Sequence, residues 1–98
     1  MCRSPALSGA KPIMFYCHVL KDPNSDFIYV GFSTDLKQRI KRHQDYEHPG
    51  WTLVYYEAYL AEADARQRER KLKAYGASLG HLKARIRNSL DRALERAG

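Results

Sequence analysis

The chain has 98 residues, which is enough for one small domain with a limited hydrophobic core. Seventeen Lys and Arg against eleven Asp and Glu give a formal net charge of +6, and most of the excess lies between Glu62 and Gly98. No apolar run approaches the ~20 residues that cross a bilayer, so we expect no membrane span. A basic domain of this size is typical of proteins that bind a polyanion such as nucleic acid, although the same charge also serves solubility.

Cysteine and histidine spacing excludes two common kinds of small scaffold. Cys2 and Cys17 are the two cysteines, they form no CxxC pair, and the four histidines lack metal-ligand spacing. We therefore expect neither a disulfide framework nor a zinc site, and a reducing, cytoplasmic location. Residues 1–12 are small, polar and proline-bearing, which predicts a flexible tail ahead of a single domain at 13–96.

The first half of the domain predicts a hairpin followed by a helix. Residues 13–20 and 27–31 are apolar and rich in β-branched and aromatic side chains, and turn formers fill 21–26, so we expect two antiparallel strands. Asp35 is a candidate N-cap with Gln38 three residues later. The predicted helix ends at a loop over 45–50, and its core face carries Leu36, Ile40 and His43.

The second half predicts one strand and two helices. Residues 51–60 give the strongest strand signal in the chain. A charged helix follows over 62–75, with Gly76 as its C′ stop. Ser78 is a candidate cap for a last helix, whose apolar stripe is Leu79, Leu82, Ile86, Leu90 and Leu94. The fold class is therefore α+β: a small three-stranded antiparallel sheet flanked by helices, in the order β-β-α-β-α-α.

Polar side chains converge where the second strand turns into the first helix. Tyr29 lies at the strand end before Gly31, and Arg39 and His43 lie one turn apart on the next helix. Such a set can hold a phosphate and move a proton. Each of these residues taken singly is more often a rim or core residue than a catalyst.

Glu69 lies where the pattern of the 62–75 helix predicts core. It follows Ala65 by four residues and precedes Leu72 by three, so it shares their face. A carboxylate there costs free energy unless it meets a cation, a metal or water. Glu69 is thus a candidate metal ligand, and the alternative is a rim glutamate paired with a neighbouring arginine.

Four segments in this order resemble the GIY-YIG nuclease domain, and in particular its small single-domain bacterial members. They are residues 15–21 (FYCHVLK), 28–36 (IYVGFSTDL), 53–57 (LVYYE) and 65–73 (ARQRERKLK), joined by Arg39, His43 and Glu69 at the family's positions. The likeness covers residues 15 to about 75. It implies the GIY-YIG fold and a metal-dependent endonuclease that hydrolyses DNA phosphodiester bonds. Cleavage selective for branched or single-stranded DNA, in repair or recombination, is a candidate for its more specific role.

The resemblance also implies roles for individual residues. Glu69 would bind one Mg²⁺ or Mn²⁺, because a lone carboxylate with water and substrate oxygens suits these ions. Arg39 would clamp the scissile phosphate, and His43 would assist proton transfer or bind phosphate. Tyr29 and His18 would position and deprotonate the attacking water. The nucleic-acid-binding candidates are Lys37, Lys41, Arg42, Arg66, Arg70 and Lys73.

One position departs from the family pattern. The first motif reads Tyr16-Cys17-His18, so His18 stands where the family has a tyrosine, eleven residues before Tyr29. A register shifted by two would give that role to Tyr16, which lies on the same side of the strand and is an accessory candidate. The family's late polar residue has no secure match, and His81 and Asn88 are the candidates.

Three functions follow as hypotheses. The first is the endonuclease, acting on DNA as a monomer or weak homodimer with no small-molecule cofactor and no membrane partner. The second, motivated by His18, is a nucleic-acid-binding module with weakened catalysis. The third is a basic interaction domain for an acidic protein, using the leucine stripe of the last helix.

Overall fold

The computed structural model describes residues 14–97, in which three strands form one antiparallel sheet and helices flank it. This is the predicted fold class, and the expected flexible tail at 1–12, with Cys2, lies outside the described residues. The sheet order is β2-β1-β3. The elements are β1 Phe15–Lys21, β2 Ile28–Ser33, α1 Leu36–Arg42, a π-helical segment His43–Glu47, β3 Thr52–Tyr59, α2 Glu62–Lys73, α3 Ala77–Arg85 and α4 Arg87–Ala97.

Local side-chain chemistry fixes the hairpin and the start of α1 as the sequence predicts. In the β1–β2 loop the Asp22 carboxylate accepts the Asn24 N–H at 2.9 Å and the Ser25 hydroxyl at 2.8 Å, which stabilises the turn. Asp35 is the N-cap of α1, and its carboxylate accepts the Gln38 N–H at 3.1 Å.

The predicted loop over 45–50 was wrong in its first half. The helical path continues through His43–Glu47 as a π-helical segment, closed by the His48 N–H donating to the His43 carbonyl at 2.6 Å. Residue preferences alone do not signal this wider turn, which is rare and often found at functional sites. The chain reverses only afterwards, at Gly50, whose φ is +88°.

Two helix ends differ from the prediction. The helix predicted over 62–75 ends at Lys73, and Tyr75, rather than Gly76, takes the left-handed conformation with φ 55°. Gly76 instead precedes α3 in the N-cap position, so Ser78 is not the cap. The predicted last helix is two helices, broken at Ile86 with φ −108° and ψ 27°. The break redirects the chain, so that α3 packs on α2 whereas α4 packs on β3.

The two faces of the sheet have different roles. On one face Cys17, Val19 and Val30 pack against Leu72 of α2 and against Leu79 and Leu82 of α3. The opposite face of β1 carries Tyr16, His18 and Leu20, since side chains alternate along a strand. None of the helices within 14–97 is long and apolar enough to cross a membrane.

Candidate active site

His18 packs directly over Gly31, and this contact requires the glycine. The two residues are paired across β1 and β2. A Cβ at position 31 would lie 2.7 Å from His18 Nε2 and 2.9 Å from Tyr29 Cε2, closer than real Cβ atoms approach. His18 is 0% exposed, and burial lowers its pKa from 6.5 to about 4, with the nearby charges of Arg39, His43 and Lys73 acting in the same direction.

Arg39 links the strand to the helix that follows it. Its Nη2 donates to the Tyr29 hydroxyl at 3.4 Å, and its Nη1 donates to Glu47 Oε2 at 3.1 Å. The Arg39 side chain keeps 28% of its surface exposed. The guanidinium is therefore oriented by two partners and still reaches solvent, as a phosphate clamp must.

His43 is completely buried beside Tyr29. Its ring centroid lies 4.8 Å from that of Tyr29 and 4.5 Å from that of His48, which in turn lies 4.4 Å from that of Trp51. His43 Nδ1 is 3.0 Å from Glu47 Oε1. Burial lowers the pKa of His43, helped by the charge of His48 and opposed by Glu47, so the ring is neutral at pH 7.

Glu47 is the residue of this cluster that the sequence interpretation missed. One carboxylate contacts both Arg39 and His43. The signal was present, because positions 39, 43 and 47 are four residues apart and share one face of a continuous helix. The prediction assigned residues 45–50 to a loop and so excluded Glu47 from the helix.

The helix α2 carries Glu69, which Lys73 links to Tyr29. The Glu69 side chain is 16% exposed, and its carboxylate pairs with Lys73 Nζ at 3.0 Å. Lys73 Nζ also lies 5.7 Å from the centre of the Tyr29 ring. Glu69 thus lies at the rim and pairs with a lysine, whereas the alternative interpretation expected an arginine. Lys73 connects Glu69 to the Tyr29 cluster.

The donors around Glu69 fit a weakly held divalent ion. Within residues 14–97 no group of three or more His, Cys, Asp or Glu side chains could hold a metal. A single accessible carboxylate cannot form a closed cage, but Mg²⁺ commonly keeps several waters and binds one or two carboxylates plus substrate phosphates. The partly exposed side chain of Glu69 matches that kind of site.

The remaining candidates lie at different distances from this cluster. Tyr16 is on the His18 face of β1 and makes an edge contact with Tyr56, with ring centroids 6.0 Å apart. His81 and Asn88 are exposed on α3 and α4, and neither hydrogen-bonds to the cluster within the described chain. Their part in the site stays a prediction.

The predicted nucleic-acid-binding residues are all exposed and differ in their contacts. Lys41 pairs with Asp45 at 2.8 Å, and Arg42 approaches Glu47 at 4.0 Å. The Arg66 guanidinium lies 4.0 Å from the centre of the Phe32 ring. Lys37 and Arg70 are exposed, and Lys73 belongs to the Glu69 side of the cluster.

An open groove of about 960 Å³ begins at Arg39. It is lined by Phe32, Ser33, Thr34, Asp35, Gln38, Arg39, Lys41, Arg42, Asp45, Tyr46 and Glu47. Tyr46 is 80% exposed at its edge. The groove therefore joins the oriented guanidinium of Arg39 to two further cations, three carboxylates and one exposed aromatic ring.

Comparison with known proteins agrees with this arrangement. The family model of the GIY-YIG catalytic domain matches residues 14–79, two thirds of the chain. No curated protein and no solved structure gave a significant match. The matched segment contains both strands of the hairpin, α1 and α2, and with them Tyr29, Arg39, His43 and Glu69. Since the match covers these elements in the right order on the right fold, the chain belongs to the GIY-YIG catalytic domain family.

Proposed function

We propose that this nuclease domain is a divalent-metal-dependent endonuclease that hydrolyses DNA phosphodiester bonds. Family membership implies nuclease activity. The observation that carries the finer proposal is the meeting of three elements at Tyr29, where Arg39 of α1 donates to its hydroxyl and α2 supplies Glu69 through Lys73. A cation for phosphate and a hydroxyl thus lie together, Lys73 links a carboxylate to them, and the cation lines an open groove.

Each side chain has a chemical task in this proposal. Arg39 binds the scissile phosphate with the guanidinium surface that Tyr29 and Glu47 leave free. Tyr29 positions the attacking water at the surface. His18 and His43, whose neutral rings lie behind Tyr29, accept the proton.

Glu69 is the proposed protein ligand of one Mg²⁺ or Mn²⁺. A bound ion would supply the charge that stabilises the leaving oxygen. Lys73 holds the Glu69 carboxylate at the rim in the absence of an ion. Because Lys73 is flexible and 45% exposed, it can leave the carboxylate when a divalent ion binds.

The groove beside Arg39 is the proposed path for DNA. Lys41 and Arg42 line it with side chains 77% and 72% exposed. The further proposed DNA contacts, outside the groove lining, are the exposed residues Lys37, Arg66, Arg70 and Lys73. These cations suit backbone phosphates rather than base edges, so we propose selectivity for DNA structure, branched or single-stranded, over sequence. A role in repair or recombination, a cytoplasmic location and a monomeric or weakly dimeric state are further proposals.

The test is cleavage of labelled DNA by wild type and by Glu69→Ala. Single-stranded, duplex, flap and junction DNAs are incubated with Mg²⁺ or Mn²⁺. We expect Glu69→Ala to abolish metal-dependent cleavage while circular dichroism shows an unchanged fold, because the only proposed protein ligand is lost. Glu69→Gln should behave in the same way, since it keeps the shape but not the charge.

The matched control is Glu62→Ala, which removes an equal charge from the first turn of α2. Glu62 pairs with Arg66 at 2.7 Å and is 50% exposed. Its loss should leave cleavage unchanged. Equal residual activity in wild type and Glu69→Ala would identify that activity as contamination and would refute the proposal.

A second candidate function is DNA binding with weakened catalysis. The observation that favours it is His18, the residue proposed to replace the family tyrosine, which is fully buried with both ring nitrogens lacking a partner among the described residues. Binding to branched DNA without cleavage, with either metal, would support this function. A His18→Tyr variant that gains cleavage would identify His18 as the cause.

A further inference from the structure

We propose that Glu47 is a positioning residue of the active site, which fixes the proton of His43 on Nδ1 and holds the Arg39 guanidinium. The inference rests on the proposed function, in which His43 accepts a proton and Arg39 binds phosphate. The sequence pattern gave Glu47 no role, and the π-helical segment is what carries it to the site.

The carboxylate of Glu47 divides its two oxygens between two functional side chains. Oε1 is 3.0 Å from His43 Nδ1, and Oε2 accepts from Arg39 Nη1 at 3.1 Å. Both distances lie in the normal range of N–H···O hydrogen bonds. The two contacts therefore couple the orientation of the phosphate-binding group to that of the proton acceptor.

The charge state of Glu47 decides the tautomer of His43. Hydrogen bonding from Arg39 is the main cause that lowers the pKa of Glu47, so the carboxylate is ionised at neutral pH and only accepts. In a neutral ring, Nδ1 must then carry the proton that it donates to Glu47. The lone pair is left on Nε2, which is buried and has no hydrogen-bond partner within residues 14–97.

The other groups facing His43 cannot replace Glu47 in this task. The rings of Tyr29, His48 and Trp51 lie beside the ring of His43. His18 of β1 is close enough that the charge of His43 lowers its pKa. Arg39 faces His43 from α1 and repels its charged form. Among these described neighbours, Glu47 alone carries a negative charge, so it alone can accept a strong hydrogen bond from Nδ1.

The first test reads the tautomer directly and does not depend on nuclease activity. Two-bond ¹H–¹⁵N correlation spectra of the His43 ring are recorded at pH 7 for wild type, Glu47→Ala and Glu47→Gln. We expect the Nδ1–H form in wild type and a change toward Nε2–H in Glu47→Ala. Glu47→Gln should retain the Nδ1–H form, because its amide oxygen can still accept that hydrogen bond.

The matched control is Asp45→Ala, which removes an equal charge two residues away in the same segment. Asp45 pairs with Lys41 rather than with His43 or Arg39. Its spectrum should match wild type. An Nε2–H form in wild type, or an unchanged Nδ1–H form in Glu47→Ala, would overturn the proposal.

Kinetics separate positioning from a merely structural role. We expect Glu47→Ala to lower kcat by roughly 10²-fold, a value at the low end of a general base's contribution, and Glu47→Gln to recover part of that loss. Because Glu47 raises the pKa of His43, the acid limb of the kcat profile should move to lower pH in Glu47→Ala. A folded Glu47→Ala variant with wild-type kcat and pH profile would refute the role. If Glu69→Ala leaves cleavage unchanged, the proposed function is refuted. The tautomer spectra would still test the contact between Glu47 and His43, because they do not depend on cleavage.

Discussion

A buried histidine without hydrogen bonds to any described residue is the most unusual single residue of this domain. His18 occupies the space left by the missing side chain of Gly31 and lies beneath Tyr29. Neither ring nitrogen has a partner among the described residues, and such a group costs free energy when buried. Proteins retain costs of this kind mainly at functional sites, which agrees with the proposed role of His18.

The low pKa of His18 predicts a loss of stability in mild acid. The unfolded chain takes up a proton at this imidazole below about pH 6.5, whereas the folded chain does so only near pH 4. The unfolded state therefore binds more protons in that window, and the free energy of unfolding should fall by up to about 3 kcal/mol between pH 6.5 and 4. Urea denaturation at several pH values measures it.

The control for this prediction is His18→Phe, which keeps a ring over Gly31 and removes the titrating group. Its unfolding free energy should fall less between pH 6.5 and 4 than that of wild type. Equal slopes in the two proteins would show that other groups, such as His43 or the carboxylates, cause the acid sensitivity.

At the scale of elements, α2 carries both a proposed site residue and part of a structural cluster. It supplies the ion pair of Glu69 and Lys73. On the core face its Arg68 donates to both carboxylate oxygens of Glu57 in β3 at 3.1 Å. Glu57 also accepts from the hydroxyls of Tyr55, at 2.6 Å, and Tyr59. This second cluster ties α2 to β3 and so holds the helix that positions Glu69.

Removing the charge of Glu57 should loosen α2 without touching the active site. Burial raises the pKa of Glu57, but hydrogen bonds from the two tyrosines and Arg68 outweigh it and leave the pKa low. We expect Glu57→Gln to lower the unfolding free energy by about 1–3 kcal/mol, because Arg68 keeps no ionic partner there. Thermal unfolding measures this.

Cleavage should persist in Glu57→Gln below its melting temperature. The comparison is Glu62→Gln on the same helix, whose exposed ion pair contributes little. Equal melting temperatures for the two variants would contradict a structural role for the Glu57 cluster.

At the scale of the whole molecule, the chain has a net charge of +6, and the groove presents three of its cations beside three carboxylates. Arg39, Lys41 and Arg42 line it, while acidic neighbours hold them in place. Contacts of this kind release counterions from DNA, so affinity should fall linearly with salt on logarithmic scales.

Replacing Arg42 tests how much one groove cation contributes to the salt dependence of DNA affinity. The Arg42 side chain is 72% exposed and lines the groove. We expect Arg42→Ala to reduce the salt slope of DNA binding by about one, whatever the sequence. Arg92→Ala is the control, because Arg92 is exposed on α4, outside the groove, and should leave the slope unchanged. A slope lowered equally by both substitutions would mean that DNA does not follow the groove.

The parts predicted correctly from sequence are those set by neighbours along the chain. Turn formers define the β1–β2 loop, Asp35 caps α1, and the alternation and spacing of apolar residues produce the strands and helices. The motif around Tyr29, with Arg39 and His43 one turn apart, is likewise a local pattern. These features were readable because a few residues decide each of them.

The parts that the sequence did not reveal depend on contacts between distant residues. Three backbone features belong to this group: the π-helical segment, the break at Ile86 and the left-handed conformation of Tyr75. Packing determines each of them, because the alternative backbone conformations differ little in local energy. Periodicity assigned Glu69 to a face but could not name Lys73 and Tyr29 as its neighbours. The sequence by itself determined which chemical groups this protein carries and on which elements. The tertiary structure alone decided that His18 is buried over Gly31 and that Glu47 contacts both Arg39 and His43. The reason is that burial and these hydrogen bonds exist only once the elements have packed.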